Sequence, residues 1–281
     1  MRKVIISVAP VAAEGLEEVK NPLSPEEVAQ DTVAAGEAGA GMVHLHVRDR
    51  LGKLTDDLTE FSRTLDRIRE GSDIIIQGST GGMSELTLEQ RCVAVQDPRV
   101  EVASLNMGSA NFDEGVYVNT FPDIRYWAGR MNETHVLPEL EIFEGGMINN
   151  VRILAEEGVL EAPFVFAFCL GFRGALPATT YNLQYLLGML PSGSLWGFIH
   201  HGMKDFSLLA TAAGMGATVL RVGFEDSPPA GGAPGKVAQT NAELVRRLAQ
   251  LIGDMGLSVA TPREARQMLG LQEVPHPLNE A

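Results

Sequence analysis

Short apolar, β-branched runs alternate along this chain with longer stretches whose apolar positions recur at helical spacing. The first run, Val4 to Val8, predicts a strand. Ser24-Pro25-Glu26-Glu27 supplies a capping serine, a proline at the first helical position and a glutamate three after the cap, so it opens a helix that ends near Gly39. Met42 to Val47 is the second strand, about Leu58 to Arg69 a charge-rich helix, and Asp73 to Gln77 the third strand. That strand empties into the tight loop Gly78-Ser79-Thr80-Gly81-Gly82, and a helix starts near Thr87 with Gln90 three residues on. Val100 to Met107 is the fourth strand; Asn111 to Asn132, which holds Trp127, reads as irregular. Val136 to Phe143 is the fifth strand, followed by a helix from Met147 to Glu157 that Gly158 stops. Phe164 to Leu170 is the sixth, before a helix over Thr179 to Leu190. Leu195 to Ile199 is the seventh strand, ending at His200-His201, and a helix over Phe206 to Ala213 leads to the eighth, Ala217 to Phe224. Capping boxes at Thr240/Glu243 and Thr261/Glu264 open a long amphipathic helix ending at Gly256 and a short last helix ending at Gly270. The tail, with Pro275 and Pro277, reads as loose.

Eight strands alternating with helices imply parallel pairing through crossovers. In this length they predict a (β/α)8 TIM barrel forming a single α/β domain over residues 1–281. An open doubly wound sheet is the other arrangement compatible with the pattern. No G-x-G-x-x-G follows the first strand, which counts against its dinucleotide-binding form.

Composition narrows the function classes. With 281 residues, 45% hydrophobic and 21% charged, the chain suits a soluble globular protein. A formal net charge of -14 argues against nucleic-acid binding and against anionic membranes. The 2 cysteines, Cys92 and Cys169, lie in apolar segments and read as buried thiols rather than a disulfide framework. Met1-Arg2-Lys3 before an apolar run resembles a signal peptide, but Pro10 interrupts the run and the first strand needs it. No stretch of membrane-spanning length follows, so a cytoplasmic location is expected.

The chemistry concentrates in Met42-Val43-His44-Leu45-His46-Val47-Arg48-Asp49. Strand alternation puts His44, His46 and Arg48 on one face, and two imidazoles on one face suit zinc. A barrel puts its active site at the C-terminal ends of its strands, and polar residues gather there, the group ending strand eight being the best place for a third ligand. Arg221, Gly223 and Glu225 share a face, and strands two and eight are both even, so Glu225 can reach a metal held by His44 and His46. Ser79-Thr80-Gly81-Gly82 offers hydroxyls and backbone N–H groups for a carboxylate or phosphate, and equally reads as a plain turn. Asn106 ends strand four, Glu139 and Glu141 lie on strand five, and Glu14 follows strand one. His200 and His201 face opposite ways, so they read as structural or substrate-facing rather than as a metal pair. Asp49 is expected to orient Arg48 or a histidine.

His44-Leu45-His46-Val47-Arg48-Asp49, Ser79-Thr80-Gly81-Gly82, Pro138-Glu139-Leu140-Glu141, Pro177-Ala178-Thr179 and Val222-Gly223-Phe224-Glu225-Asp226 occur in this order. The set resembles the β-keto acid cleavage enzyme family over nearly the whole chain, from Ala9 to Leu269. The resemblance implies a zinc-bearing barrel, a homotetramer, and a reaction of a β-keto acid with acetyl-CoA that yields acetoacetate and a new acyl-CoA. It implies His44, His46 and Glu225 as zinc ligands, Arg221 and Asp226 as the catalytic pair, and Ser79 as the substrate-carboxylate serine. An acid matching Glu14 binds the substrate ammonium in the family's 3-keto-5-aminohexanoate enzyme. The chain departs from the family in Asn106, in Phe172-Arg173, and in the segment Ser227 to Pro234. Two other functions fit the same residues: a zinc hydrolase with metal-bound hydroxide as nucleophile, and a binding protein that keeps a structural metal.

Overall fold

The computed structural model describes residues 1–13, 16, 19–227 and 237–271. Eight parallel strands form its centre: β1 (Lys3–Val8), β2 (Met42–Leu45), β3 (Ile75–Gly78), β4 (Val100–Asn106), β5 (Leu137–Ile142), β6 (Val165–Leu170), β7 (Leu195–His200) and β8 (Val219–Val222). Each pairs with its neighbours in chain order, and β1 pairs with both β2 and β8, at Ser7↔Met42 and Ser7↔Arg221. The sheet is therefore closed, a (β/α)8 barrel rather than an open doubly wound sheet. Helices lie between the strands, starting with Pro25–Glu37, where Ser24 accepts from the Glu27 N–H and Glu27 reaches back to the Ser24 N–H.

Three segments differ from expectation. Residues 111–132 are ordered: Ala110–Phe112 and Gly115–Tyr117 form an antiparallel hairpin, and Phe121–Glu133 is a helix capped by a Thr120/Asp123 box. Its Trp127 is buried and donates Nε1–H to the Leu88 carbonyl at 2.8 Å. The helix after Thr87 is a single turn, Leu88–Arg91, continued by a 3-10 turn over Val93–Gln96. At Thr240 only half the expected box forms, because Glu243 reaches past the cap to the Gln239 N–H. Ser258–Val259 adds a short parallel ladder beside β1.

The barrel interior is layered by strand alternation. At the N-terminal end Ile5, Met42, Ile75, Val102, Val165 and Val219 form an apolar floor, against which Ala265 and Leu269 of the last helix, Pro262–Leu269, pack. Arg266 of that helix grips Glu101 with two nitrogens, at 2.6 and 2.8 Å, and both side chains are buried. Two residues further along the strands the interior turns polar, with Ser7, His44, Gln77, Ser104, Glu139 and Arg221 all buried. Polar groups at this depth are costly unless partnered, so their partners define the site.

Candidate active site

β2 ends at Leu45, one residue before His46, yet both imidazoles still face the C-terminal mouth with ring centroids 5.2 Å apart. Glu225 arrives by a different route from the one strand alternation suggests. β8 ends at Val222 and the chain turns at Gly223, whose φ is +149°. A Cβ there would collide with the Ala9 backbone, so only glycine fits. The turn is pinned from three sides. Asn241 accepts from the Phe224 N–H at 2.9 Å, the Ala9 carbonyl accepts from Glu225 at 3.1 Å, and the Asp226 carbonyl accepts from Gly202 at 2.9 Å.

The turn delivers Glu225 Oε1 to 3.6 Å from His44 Nε2 and 3.4 Å from His46 Nε2. One ligand atom from each of the three residues lies within 4.8 Å of the others. His44 Nδ1 is bonded to Gln77 Oε1 at 2.9 Å, which leaves its Nε2 lone pair for a metal. Burial pushes His44 down to about 3, with Arg221 adding to the effect, so the ring is neutral. Burial pushes Glu225 up, but His46, His44 and Arg221 outweigh it and hold the carboxyl below its ordinary range. Two imidazoles and one ionised carboxylate are three donors of the kind a catalytic zinc takes, a number that leaves its fourth position to water or substrate.

Beside this set, Arg221 holds Asp226 with Nε to Oδ2 at 2.9 Å and Nη2 to Oδ1 at 2.6 Å. Burial raises the Asp226 carboxyl and Arg221 opposes that rise. Among the described residues, Arg221 Nη1 has no partner. Asn106 Nδ2 and Arg48 Nε are likewise buried without partners. Arg48 donates Nη1–H to the Gly52 carbonyl at 2.7 Å. Asp49 does not orient Arg48 or a histidine: its Oδ1 accepts from the Leu51 and Lys53 N–H groups and so shapes the turn that presents Gly52.

The Ser79 to Gly82 loop lies along the same mouth, and a Cβ on Gly82 would touch Leu54 and His46. Its backbone N–H groups are already engaged. Ser79 donates to Leu45 O, Thr80 to Ser104 Oγ, Gly81 to Ser79 Oγ and Gly82 to Tyr117 OH. The Thr80 hydroxyl is also engaged, donating to the Ser104 carbonyl at 2.6 Å, so the Ser79 hydroxyl, not a nest of N–H groups, is what this loop has left to offer. His201 stacks on Phe172 at 4.2 Å, and Phe172, Phe143, Phe112 and Tyr117 continue an aromatic wall around the mouth. Glu14 lies outside the described residues, as does most of the divergent segment after Ser227.

Three side chains at the site had no assigned role on sequence grounds. Gln77 bridges His44 and Glu139, donating Nε2–H to Glu139 Oε2 at 2.7 Å. Glu141, beside Asn106 across the β4–β5 ladder, is pushed by burial up to about 8 and is therefore a proton-bearing acid near neutrality. The signal for all three was a polar residue inside an apolar strand, at alternating positions.

A closed barrel with ligands, an acid and an arginine–aspartate pair gathered at its C-terminal mouth is the arrangement of a TIM-barrel enzyme. The chain belongs to the beta-keto acid cleavage enzyme family, whose model matches residues 3–271. A 3-keto-5-aminohexanoate cleavage enzyme of Fusobacterium nucleatum is 37% identical over 278 residues, 97% of this chain and 100% of that protein. A 3,5-dioxohexanoate:acetyl-CoA acetone transferase of Paraburkholderia graminis is 30% identical over 302 residues, 96% of each. Among solved structures, apo ObcA superposes with a TM-score of 0.74 at 20% identity, covering 89% of this chain and 65% of that one, which shows the shared fold.

Proposed function

We propose that this enzyme condenses a β-keto acid with acetyl-CoA at a zinc ion, releasing acetoacetate and a new acyl-CoA. The observation that carries the reading is the His44–His46–Glu225 set lying directly against the Arg221–Asp226 pair. A zinc ion on the three ligands supplies Lewis acidity to a substrate carbonyl. Asp226 removes the proton from the carbon between ketone and carboxylate. Arg221 keeps that carboxylate aimed, and its unpartnered Nη1 is a donor for developing negative charge. The Ser79 hydroxyl is the loop's donor for the substrate carboxylate. Thr80, whose hydroxyl is given to the Ser104 carbonyl, shapes the loop with Gly81 and Gly82, and Asn106 and Arg48 add donors at the mouth.

The carbanion attacks the acetyl thioester and expels CoA thiolate. The thiolate adds to the former ketone carbon, the carbon–carbon bond breaks to give the new thioester and the acetoacetate carbanion, and Asp226 returns its proton to that carbanion as acetoacetate leaves. Atoms and charge balance without another reactant. A tail bearing an ammonium group, as in 3-keto-5-aminohexanoate, is the substrate we favour, with Glu14 as its partner. The family likeness supports a cytoplasmic homotetramer. Among the described residues no helix is long and apolar enough to cross a membrane.

A panel of β-keto acids incubated with acetyl-CoA, read by mass spectrometry of acyl-CoA products, tests the proposal. Product that strictly requires acetyl-CoA supports it. Turnover without acetyl-CoA replaces it with the zinc-hydrolase reading.

A further inference from the structure

Gln77 lies on β3 directly across the ladder from His44 on β2, and it is fully buried. Its carboxamide stands between an imidazole and a carboxylate, 2.9 Å from His44 Nδ1 and 2.7 Å from Glu139 Oε2. A carboxamide can turn over at little steric cost, because its oxygen and nitrogen ends are nearly the same size. Contact with His44 alone does not fix which end faces the ring, since neutral imidazole can donate or accept at Nδ1. Glu139 removes the ambiguity. In the structure the NH2 end faces Glu139 and Oε1 faces His44. Burial raises the Glu139 carboxyl against the opposing pull of Gln77 and Arg221, and in its ionised form Glu139 only accepts, which permits that orientation alone. The proton then resides on Nδ1, and the Nε2 lone pair points toward Glu225, 3.6 Å away. With the amide reversed, the NH2 end would require an acceptor at Nδ1. The ring proton would move to Nε2 and cover the metal-binding lone pair.

We infer that Glu139, acting through Gln77, is a positioning residue that holds His44 in the metal-binding tautomer. The inference rests on the metal reading of the His44–His46–Glu225 set. It goes beyond it by assigning a task to two residues that touch neither metal nor substrate. In its ionised form Glu139 is the one member that cannot reverse, so from two hydrogen bonds away it sets the direction of the whole chain.

The test uses the full-length protein and the nearly isosteric variant Glu139→Gln, whose carboxamide no longer dictates the orientation of Gln77. Zinc affinity is measured by competition with a chromophoric chelator. The His44 tautomer is read on metal-free protein from long-range 15N–1H correlations of the imidazole ring. Glu139→Gln should weaken zinc binding about tenfold, within the usual range for an outer-shell partner, and should give mixed tautomer signals. The exchange variant Gln77→Glu/Glu139→Gln restores an acceptor at Nδ1 and a donor behind it. It should return both readouts toward native, which a purely steric role would not produce.

Native affinity and a single native tautomer in Glu139→Gln overturn the inference. If that variant does not fold, the exchange variant decides: native-like tautomer and affinity support the relay, and their loss overturns it. Native protein that binds no zinc sinks the metal reading instead, while the tautomer measurement on metal-free protein still judges the relay.

Discussion

Arg221 grips both carboxylate oxygens of Asp226, and the residue immediately before Asp226 is the carboxylate that faces two imidazoles. Candidate ligand and candidate base are thus set side by side by one turn, and Arg221 Nη2 reaches both, at 2.6 Å to Asp226 Oδ1 and 3.4 Å to Glu225 Oε1. Asp226→Asn places a second donor against the guanidinium and removes the base. Zinc content should be retained and kcat should fall by about 10²-fold or more, on the scale of a lost general base. A metal-loaded variant with near-native kcat would reassign that role.

Under the proposed reading, metal retention should depend on the imidazoles. The His44→Ala/His46→Ala protein keeps one ligand of three and should carry no bound zinc after dialysis, as read by elemental analysis. Full retention would move the metal elsewhere in the chain.

Glu141 makes stability pH-dependent with a definite sign. Burial raises its carboxyl from an ordinary 4.5 to about 8. Between those values the folded chain holds a proton that the unfolded chain has lost. The stabilisation is therefore complete below 4.5 and is lost as pH rises through 8. Between about pH 5 and about pH 9, metal-free native protein should lose more unfolding free energy than Glu141→Gln does, by urea denaturation. Parallel pH profiles would place the proton elsewhere.

The pair Arg266–Glu101 fastens the last helix under the barrel. Arg266→Ala leaves Glu101 buried with only the longer contact to Arg69, at 3.2 Å. It should cost about 3 kcal/mol, whereas Arg266→Met/Glu101→Met should cost much less, since no carboxylate is then stranded and Arg69 keeps its bonds to the Ser72 and Ile74 carbonyls. Chemical denaturation of the two proteins checks the order; equal losses would contradict it.

Substrate choice should follow Glu14. If this acid meets a cationic tail, the native enzyme prefers amino over aliphatic β-keto acids, and Glu14→Gln narrows that preference. Specificity constants for both substrate types, in both proteins, decide; an unchanged ratio removes Glu14 from the pocket.

The periodicities that the sequence exposes concern single elements, and those were readable. Ser24/Glu27 and Thr261/Glu264 announced their helices, and alternation placed His44 and His46 together. Thr120/Asp123 escaped notice because aspartate replaces the customary glutamate of the box, within a polar stretch. Glu225 was rightly placed with the histidines for an incomplete reason. Alternation stops at Gly223, and the Ala9 backbone, remote in sequence, forces the turn. Gln77 could not be connected to His44 at all, since the register of β2 against β3 is a property of the closed sheet.

The apolar floor beneath the polar interior has a kinetic consequence. With Ala265 and Leu269 packed against the lower strands, the described residues close the floor, and two reactants and two products would share the C-terminal mouth as their doorway. Whatever is used deepest has to go in first and come out last. Under the proposed reaction the keto acid is the deep guest and acetyl-CoA the bulky one behind it. Excess acetyl-CoA should then bar the doorway to the keto acid, leaving inhibition that more keto acid relieves.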